Sequence, residues 1–372
     1  MHGAPDKTDV FVIGGGPAGL AAAIAARQRG LSVVVADGAH LPIDKACGEG
    51  LLPDGVAALE RLGIHLPVAE ARPFRGIRFL SGERSAAALF TGPQRGLAVR
   101  RTSLHRVMVE RADGLGAKLL WRTPVTGILQ GGVRLGDRLV RARWIIGADG
   151  ANSRVRRWAG LDRGARPRLR YAFRRHYRIA PWTDHMEVYW GGRCQGYATA
   201  VSQDQVCVAL ASHDPSLRLE DGLRLLPELQ ARVGGAETVS AQRGALTGNR
   251  QFDRVWRENV ALIGDASGTV DAITGEGLGL AFNEAVALAD SLESGDLASY
   301  QKEHQALAGR PLWMARLLLT LDRRPRLQDR TLQVFQRRPE IFRRLVELHL
   351  GARPPLHLVK DGLALGWGLF TA

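Results

Sequence analysis

The stretch Asp9-Val-Phe-Val-Ile-Gly14-Gly-Gly16-Pro-Ala-Gly19 decides the fold of this 372-residue chain. It places three glycines in the pattern G-x-G-x-x-G between an apolar run and an alanine-rich run that favours a helix. A second apolar run of three valines follows and is closed by Asp37. This order of strand, glycine turn, helix and acid-ended strand is typical of a βαβ unit that binds a dinucleotide.

The three glycines and Asp37 have distinct physical roles in such a unit. Gly14 permits the tight turn, Gly16 lets the backbone approach a pyrophosphate, and Gly19 lets the helix pack against the strand. The helix N-terminus directs free N–H groups at the phosphate. Asp37 accepts hydrogen bonds from ribose hydroxyls and repels a 2′-phosphate. The pattern therefore predicts a site for FAD or NAD and not for NADP.

Composition limits the protein class. The length favours two intimately joined domains, and 45% hydrophobic residues with 44 glycines indicate an α/β protein. No run of 18 apolar residues is present, and the charged start does not resemble a signal peptide, which predicts a cytoplasmic protein. Cys47, Cys194 and Cys207 are too scattered for a disulfide framework or a zinc site. We expect no structural metal and no required disulfide.

Four continuous apolar runs predict strands buried on both faces of a parallel sheet. We expect them to lie side by side: Val10 to Ile13, Val33 to Ala36, Trp144 to Ile146, and Val260 to Ile263. Between the last two, residues 171–210 show half-polar alternation, which predicts an inserted antiparallel sheet with one exposed face. A strand pair at 77–80 and 86–90 is expected to join that sheet.

Two later motifs complete the pattern, Gly147-Ala-Asp149-Gly150-Ala-Asn-Ser-Arg154 and Leu262-Ile-Gly264-Asp265-Ala-Ser-Gly268. With them, roughly residues 8 to 300 resemble the glutathione-reductase-type flavoproteins built like para-hydroxybenzoate hydroxylase and, within these, the geranylgeranyl reductases. The resemblance implies that FAD is the cofactor, that Asp265 binds the ribityl hydroxyls, and that Arg101 lies near the flavin phosphates. A buried helix-capping role is the alternative for Asp265.

The resemblance also implies the architecture. The expected fold class is α/β, with a Rossmann-like FAD-binding domain of the glutathione-reductase type, an inserted antiparallel β-sheet substrate domain and a helical C-terminal region. The expected domain boundaries are 1–70, 95–160 and 252–300 for the discontinuous FAD-binding domain, 71–94 and 161–251 for the substrate domain, and 301–372 for the helical region.

A glycine-rich run, Gly275-Glu-Gly277-Leu278, opens a predicted long helix. Backbone N–H groups at this helix start would face the flavin pyrimidine and stabilise the charge of the reduced ring. A glycine-rich entry chosen for packing is the alternative. The predicted cofactor contacts are Gly14, Gly16, Pro17, Ala18, Gly19, Asp37, Arg101, Asp149, Gly264, Asp265, Gly275, Gly277 and Leu278.

The segment Asp44-Lys45-Ala-Cys47-Gly-Glu49-Gly-Leu51 supplies the candidate catalytic residues. It is similar to the Cys-Gly stretch that geranylgeranyl reductases place beside the flavin ring. Cys47 is a candidate proton donor to a substrate carbon, and Glu49 or Lys45 would tune it. A space-filling role is the alternative for Cys47. The histidines at 105, 176 and 185 have no acid or serine at a spacing that suggests a triad, so we interpret them as structural.

These features favour a reductase that uses NAD(P)H-reduced FAD to reduce a C=C bond of a hydrophobic polyprenyl or polyketide-like substrate. A flavin monooxygenase acting on an aromatic or polyketide-like substrate is the alternative, although Gly268 stands where hydroxylases of this group carry a histidine. A prenyl-lipid carrier on the same scaffold is the non-enzymatic alternative. The expected pocket lining is aromatic: Tyr171, Phe173, Tyr177, Tyr189, Trp190 and Tyr197.

The net charge of +14 is concentrated late in the chain, where nine arginines lie between residues 316 and 344. Apolar residues alternate with these arginines, and residues 356–370 are apolar. The pattern favours peripheral contact of the basic C-terminal helices with an anionic inner membrane surface over nucleic-acid binding. A solvated basic face is the alternative.

Overall fold

The computed structural model describes residues 5–164 and 168–352. The strands are β1 (Lys7–Ile13), β2 (Val33–Ala36), β3 (Gly50–Leu51), β4 (Ala71–Phe74), β5 (Gly76–Ser81), β6 (Arg84–Leu89), β7 (Gly96–Val99), β8 (Lys118–Leu120), β9 (Gly127–Leu129), β10 (Gly132–Leu135), β11 (Arg138–Gly147), β12 (Arg170–Arg178), β13 (Met186–Trp190), β14 (Cys194–Ala200), β15 (Gln205–Ser212), β16 (Glu237–Thr238), β17 (Arg243–Thr247), β18 (Trp256–Arg257) and β19 (Val260–Leu262).

The α-helices of these described residues are α1 (Pro17–Gln28), α2 (Pro53–Arg61), α3 (Arg101–Gly114), α4 (Arg154–Trp158), α5 (Leu219–Arg224), α6 (Pro227–Val233), α7 (Gly277–Ser294), α8 (Leu297–Asp322), α9 (Pro325–Arg337) and α10 (Pro339–His349). Short 3₁₀ turns cover Val68–Glu70, Gly264–Ala266 and Ala272–Thr274.

The first sheet contains the parallel strands that the apolar runs predicted. Its order is β18-β19-β11-β1-β2-β8, and the strands from β19 to β8 pair in parallel. The four predicted runs are therefore neighbours, which confirms the expectation. Every residue of β2 and β19 is buried, as a sheet covered by helices on both faces requires.

The second sheet contains the inserted strands, in the order β16-β12-β15-β14-β13-β5-β6, with β17 also on β12. The early hairpin β5–β6 joins it, as predicted. The sheet is not purely antiparallel, because β5 pairs in parallel with β13. The predicted α/β class, with a Rossmann-like domain, an inserted sheet and a helical C-terminal region, is confirmed.

The prediction that one face of this sheet is exposed is wrong, since helices cover both faces. One face packs on α5 and α6 through leucines such as Leu223 and Leu229. The opposite face packs on α9 and α10 through Phe335 and Phe342. All five residues of β13 are consequently buried, including Glu187.

The C-terminal helices α8, α9 and α10 account for the described part of the predicted helical region. The apolar run at 356–370 lies outside the described residues. Within the described chain, none of the helices combines the length and the apolar character needed to cross a bilayer.

Candidate functional site

The three glycine-containing motifs meet at one end of the parallel sheet. Gly14 adopts φ +114°, and a Cβ built on it would lie 2.4 Å from the carbonyl oxygen of Ala148 in the second motif. A Cβ on Gly264 of the third motif would lie 2.7 Å from the Cβ of Ala18. The three motifs are therefore in van der Waals contact, and the surface that they border is called the groove below.

The start of α1 is open toward this groove. The helix begins at Pro17 after Gly16, and a Cβ built on Gly16 would meet no atom within 4 Å. A Cβ on Gly19 would instead lie 1.9 Å from the Gly14 oxygen. Gly19 is thus required for packing, whereas Gly16 leaves space at a helix N-terminus, the environment that a pyrophosphate prefers.

Asp37 lies at the carboxyl end of β2 and holds the glycine turn. Its Oδ2 accepts a hydrogen bond from the Gly15 N–H at 2.6 Å, and its Oδ1 accepts one from the Ala39 N–H at 2.8 Å. Each oxygen retains a second acceptor position. Ribose binding by Asp37 remains a prediction. Gly15 itself packs on Trp121, whose ring a Cβ would approach to 2.3 Å, a contact that the sequence did not indicate.

Asp149 caps α4. Its Oδ1 accepts from the Ser153 hydroxyl at 2.5 Å, and its Oδ2 accepts from the backbone N–H of Arg154 at 2.6 Å. Both oxygens are thus engaged at the helix N-terminus, a structural role that the sequence analysis did not assign. Asp149 contributes to the groove by fixing the second motif next to Gly14.

Asp265 faces the groove opposite Arg101 and Lys45. Asp265 is exposed at the groove; the protein that surrounds it raises the pKa of its carboxyl, and the charges of Arg101 and Lys45 act in the opposite direction. The Nε of Arg101 is buried and has no hydrogen-bond partner among the described residues. One acid and two basic side chains, far apart in sequence, therefore surround the same part of the groove.

The loop before α7 forms the far wall. Gly275 adopts φ +70°, and α7 begins at Gly277. A Cβ on Gly275 would lie 3.7 Å from the Cε of Met186, and one on Gly50 would lie 3.0 Å from the Met186 sulfur. Met186 of the second sheet thus lies against both the Gly50 and the Gly275 segments. Leu278, at the start of α7, packs on the apolar core that surrounds the first sheet.

Cys47 lies on the loop between β2 and β3, beside Arg101. Burial raises the pKa of the Cys47 thiol, and the Arg101 charge opposes this shift. The Cys47 sulfur accepts a hydrogen bond from the Glu49 N–H at 3.3 Å. The loop is anchored by a partly buried ion pair between Arg174 of β12 and Asp44. Cys47 is therefore held as a neutral thiol in a fixed position.

Glu49 is 2% exposed and lies behind Cys47, with φ +61°. Its Oε1 accepts from the Arg101 N–H at 2.9 Å, and its Oε2 lies 2.6 Å from His176 Nε2. His176 Nδ1 lies 2.7 Å from the Ser240 hydroxyl oxygen. The Cys207 thiol lies within 4.8 Å of both Glu49 and His176.

His176 therefore has an acid and a serine as neighbours in the fold, although neither lies at a triad spacing along the chain. Glu49 is 127 residues and Ser240 is 64 residues from His176 along the chain, so sequence spacing could not reveal that these three side chains form one hydrogen-bonded row. The row ties the Cys47 loop to the second sheet. Whether Glu49 and Lys45 tune Cys47 remains a prediction.

A narrow apolar pocket of about 60 Å³ lies beyond Met186, between the second sheet and the C-terminal helices. Its wall near the groove is formed by Ile273 and Thr274, which precede Gly275. The residues lining the pocket are Ile77, Phe79, Met186, Val188, Trp190, Ile273, Thr274, Met314, Leu317, Leu318, Leu321, Thr331, Phe335, Phe342, Leu345, Val346 and His349.

The predicted aromatic lining is wrong except for Trp190. Side chains alternate along β13, so Val188 and Trp190 face the pocket while Tyr189 points to the opposite face. Phe173 and Tyr177 also pack on that opposite face with α5 and α6. Tyr197 donates to Gln195 at 2.9 Å, and neither it nor Tyr171 lines the pocket.

Comparison with known proteins supports an FAD site. A family model described as FAD binding domain matches residues 7–190. The menaquinone reductase of Mycobacterium tuberculosis is 31% identical over 326 residues, covering 79% of this chain and 78% of the relative. The chain belongs to the geranylgeranyl reductase-like family of FAD-dependent oxidoreductases.

One further relative and one solved structure are similar to this oxidoreductase. Digeranylgeranylglycerophospholipid reductase 1 of Methanothermobacter thermautotrophicus is 26% identical over 294 residues, covering 73% of each chain. A solved flavoprotein/dehydrogenase from Cytophaga hutchinsonii superposes with a TM-score of 0.79 at 19% identity, covering 92% of this chain and 93% of that chain, and it shows the fold alone.

The residues of the oxidoreductase fit FAD. The open helix start at Gly16 suits the pyrophosphate, and Gly14 and Gly19, which leave no room for a side chain, bring the motifs together beside it. The unpartnered Arg101 Nε and the Asp265 carboxyl lie along the same groove, where phosphate and ribityl oxygens would complete their hydrogen bonds.

Proposed function

We propose that this oxidoreductase uses NAD(P)H-reduced FAD to reduce a C=C bond in a hydrophobic, polyprenyl-type substrate. The observation that carries the proposal is the position of the apolar pocket, whose lining residue Met186 lies against Gly275 and whose Ile273–Thr274 wall precedes that glycine. The relatives named menaquinone reductase and digeranylgeranylglycerophospholipid reductase 1 support it.

The lining of the pocket favours an apolar ligand. Its lining contains aliphatic, aromatic and methionine side chains, with two threonines and one histidine as the polar residues. Both threonine hydroxyls already donate to backbone carbonyls, that of Thr331 to Leu327 at 2.7 Å and that of Thr274 to Asp271 at 3.2 Å. A substrate with more polar groups than the few unpartnered lining atoms can bind would leave the others unpaired there, at a cost of about 1–3 kcal/mol each.

Cys47 is the proposed proton donor. FAD, when bound, supplies the hydride, and reduction of a C=C bond requires a proton at the second carbon. Because burial raises its pKa, the Cys47 thiol retains its proton at neutral pH, as a general acid must. The Cys47→Ala variant is expected to bind FAD normally and to lose about 100-fold in turnover.

An anaerobic experiment tests the reaction. NADPH or NADH is added to the FAD-loaded protein until the flavin absorbance bleaches, and a polyprenyl compound is then added. We expect the absorbance to return with formation of the saturated product. Substrate-dependent oxygen uptake with an oxygenated product would instead identify a monooxygenase, and a purified protein that takes up no FAD would favour a lipid carrier.

We also propose that the outer surface of α9 contacts anionic membranes. The inner side of this helix packs through Leu332, Val334 and Phe335, while Arg326, Arg330 and Arg337 are exposed on the other side. The same helix lines the apolar pocket, so a bilayer held at this surface lies next to the substrate site. Each arginine near an anionic surface contributes about 1 kcal/mol.

Vesicle sedimentation tests this surface. We expect binding to vesicles containing phosphatidylglycerol, weak binding to phosphatidylcholine alone, and loss of binding in an Arg326→Glu/Arg330→Glu variant. Arg134→Glu, at an exposed position of β10, is the control for a charge reversal away from α9 and should still sediment. Equal binding of both variants would show that α9 is a solvated basic face.

A further inference from the structure

A buried His–Glu pair lies where the apolar pocket meets the groove. His349, the last residue of α10, lines the pocket, and its Nε2 lies 3.1 Å from Glu276 Oε1 and 3.3 Å from the carbonyl oxygen of Thr274. The two side chains are 5% and 2% exposed. Glu276 follows Gly275 directly, so the pair joins the pocket wall to the groove.

One ring nitrogen of His349 makes no hydrogen bond within the described residues. Its Nδ1 is buried and has no hydrogen-bond partner among residues 5–164 and 168–352. A buried polar atom without a partner is costly, by about 1–3 kcal/mol, and such an atom in a pocket wall marks a position where a ligand can complete the bond. The two threonine hydroxyls of the lining are already engaged.

The neighbours of His349 assign the role of this nitrogen. The Thr274 carbonyl oxygen can only accept, so the Nε2 that contacts it carries the ring proton. Burial lowers the pKa of His349, which keeps the ring neutral. Burial also raises the pKa of Glu276 well above its ordinary value. In this neutral tautomer Nδ1 carries a lone pair and accepts a hydrogen bond.

Among the described lining residues, Trp190 has the second unpartnered nitrogen, and it lies at the end of the pocket away from His349. Its Nε1 is buried without a partner, and it lies four residues along β13 from Met186, which contacts the groove loop. At roughly 3.3 Å per residue this separation is about 13 Å. His349 therefore marks the groove end of the pocket, and Trp190 marks the distal end.

We propose that His349, held by Glu276 and Thr274, binds a hydroxyl group of the apolar ligand at the groove end of the pocket. The inference rests on the proposed function for the identity of the pocket, and it names the ligand class as an apolar chain with a terminal hydroxyl. The hydroxyl donates to Nδ1 while the chain runs along β13 toward Trp190, which requires the pocket of about 60 Å³ to widen around the chain.

The test compares farnesol with farnesyl methyl ether, because the ether has the same chain but cannot donate a hydrogen bond. Each is titrated into the FAD-loaded protein and binding is followed by the change in flavin absorbance and fluorescence. The wild-type protein is expected to bind the alcohol about tenfold more tightly than the ether. Equal affinities in the wild type would overturn the proposal without any variant.

Two variants assign the preference to His349. His349→Phe is expected to bind both ligands with the affinity of the ether, so that the ratio falls to about one. Thr331→Val is the matched control, since it removes a pocket hydroxyl that already donates to Leu327, and it should keep the tenfold ratio. FAD content and thermal melting confirm that each variant is folded.

A third variant locates the hydroxyl. Trp190→Phe is expected to retain the preference for the alcohol, and loss of the preference there but not in His349→Phe would place the hydroxyl at the distal end and overturn the assignment. This binding assay needs no turnover. A preference for the alcohol without any C=C reduction would therefore reject the proposed reaction while leaving the role of His349 intact.

Discussion

The cofactor groove and the apolar pocket touch at Met186, yet they are built differently. The groove is formed by backbone segments whose glycines bring three motifs into contact, at Gly14 with Ala148 and at Gly264 with Ala18. The pocket is formed by side chains from the second sheet and α8 to α10. A groove made of backbone therefore depends on a few glycines. In a pocket made of side chains, a lining residue can be substituted without loss of the fold, and the substitution changes which ligand fits.

The two regions are joined by a buried ion pair, and breaking it should have the largest effect on stability. Asp271, in the loop before α7, lies 2.8 Å from Arg170 of β12, and both side chains are 1% exposed. Asp271→Ala leaves a buried guanidinium without its main partner and is expected to lower the free energy of unfolding by about 4 kcal/mol. Chemical denaturation measures the change.

Asp290→Ala is the control for that prediction. It removes an aspartate that pairs with Arg29 at the surface, where the carboxylate is 61% exposed, and should cost less than about 1 kcal/mol. Similar losses in the two variants would contradict the view that the junction is held by a buried charge pair.

Gly19→Val tests the groove itself. The added side chain would collide with the Gly14 oxygen, 1.9 Å from the new Cβ, so we expect a loss of about 3 kcal/mol and a protein purified without yellow colour. The matched variant Gly16→Ala meets no protein atom and should keep its stability within about 0.5 kcal/mol while binding FAD more weakly. Normal FAD content in both variants would refute the groove as the cofactor site.

Leu318→Phe tests the pocket without changing the groove, and its expected free-energy effect is the smallest of these variants. Leu318 is a half-buried lining residue on α8, and a larger ring there narrows the pocket. We expect KM for a polyprenyl substrate to rise about tenfold, or about 1.4 kcal/mol, with unchanged reduction of the flavin by NAD(P)H. Stopped-flow kinetics separates the two half-reactions, and slowed flavin reduction would show that the pocket and the groove are not independent.

Sequence reasoning predicted the first sheet better than the second. The continuous apolar runs at 10–13, 33–36, 144–146 and 260–263 each reflect burial on both faces, so they identified neighbouring parallel strands. In the second sheet the same reasoning predicted one exposed face and an aromatic lining. Both were wrong, because α9 and α10 cover that face and alternation along β13 directs Val188 and Trp190, not Tyr189, into the pocket.

The sequence by itself determined the fold class and the cofactor groove, because glycine turns, helix starts and strand ends are set by residues that are neighbours along the chain. The lining of the pocket and the buried polar contacts of Glu49 and His349 could be seen only in the tertiary structure. Glu49 meets His176 across 127 residues, and His349 meets the Thr274 carbonyl across 75. Such partners share no local spacing, since their meeting depends on how the second sheet and the C-terminal helices pack against the groove.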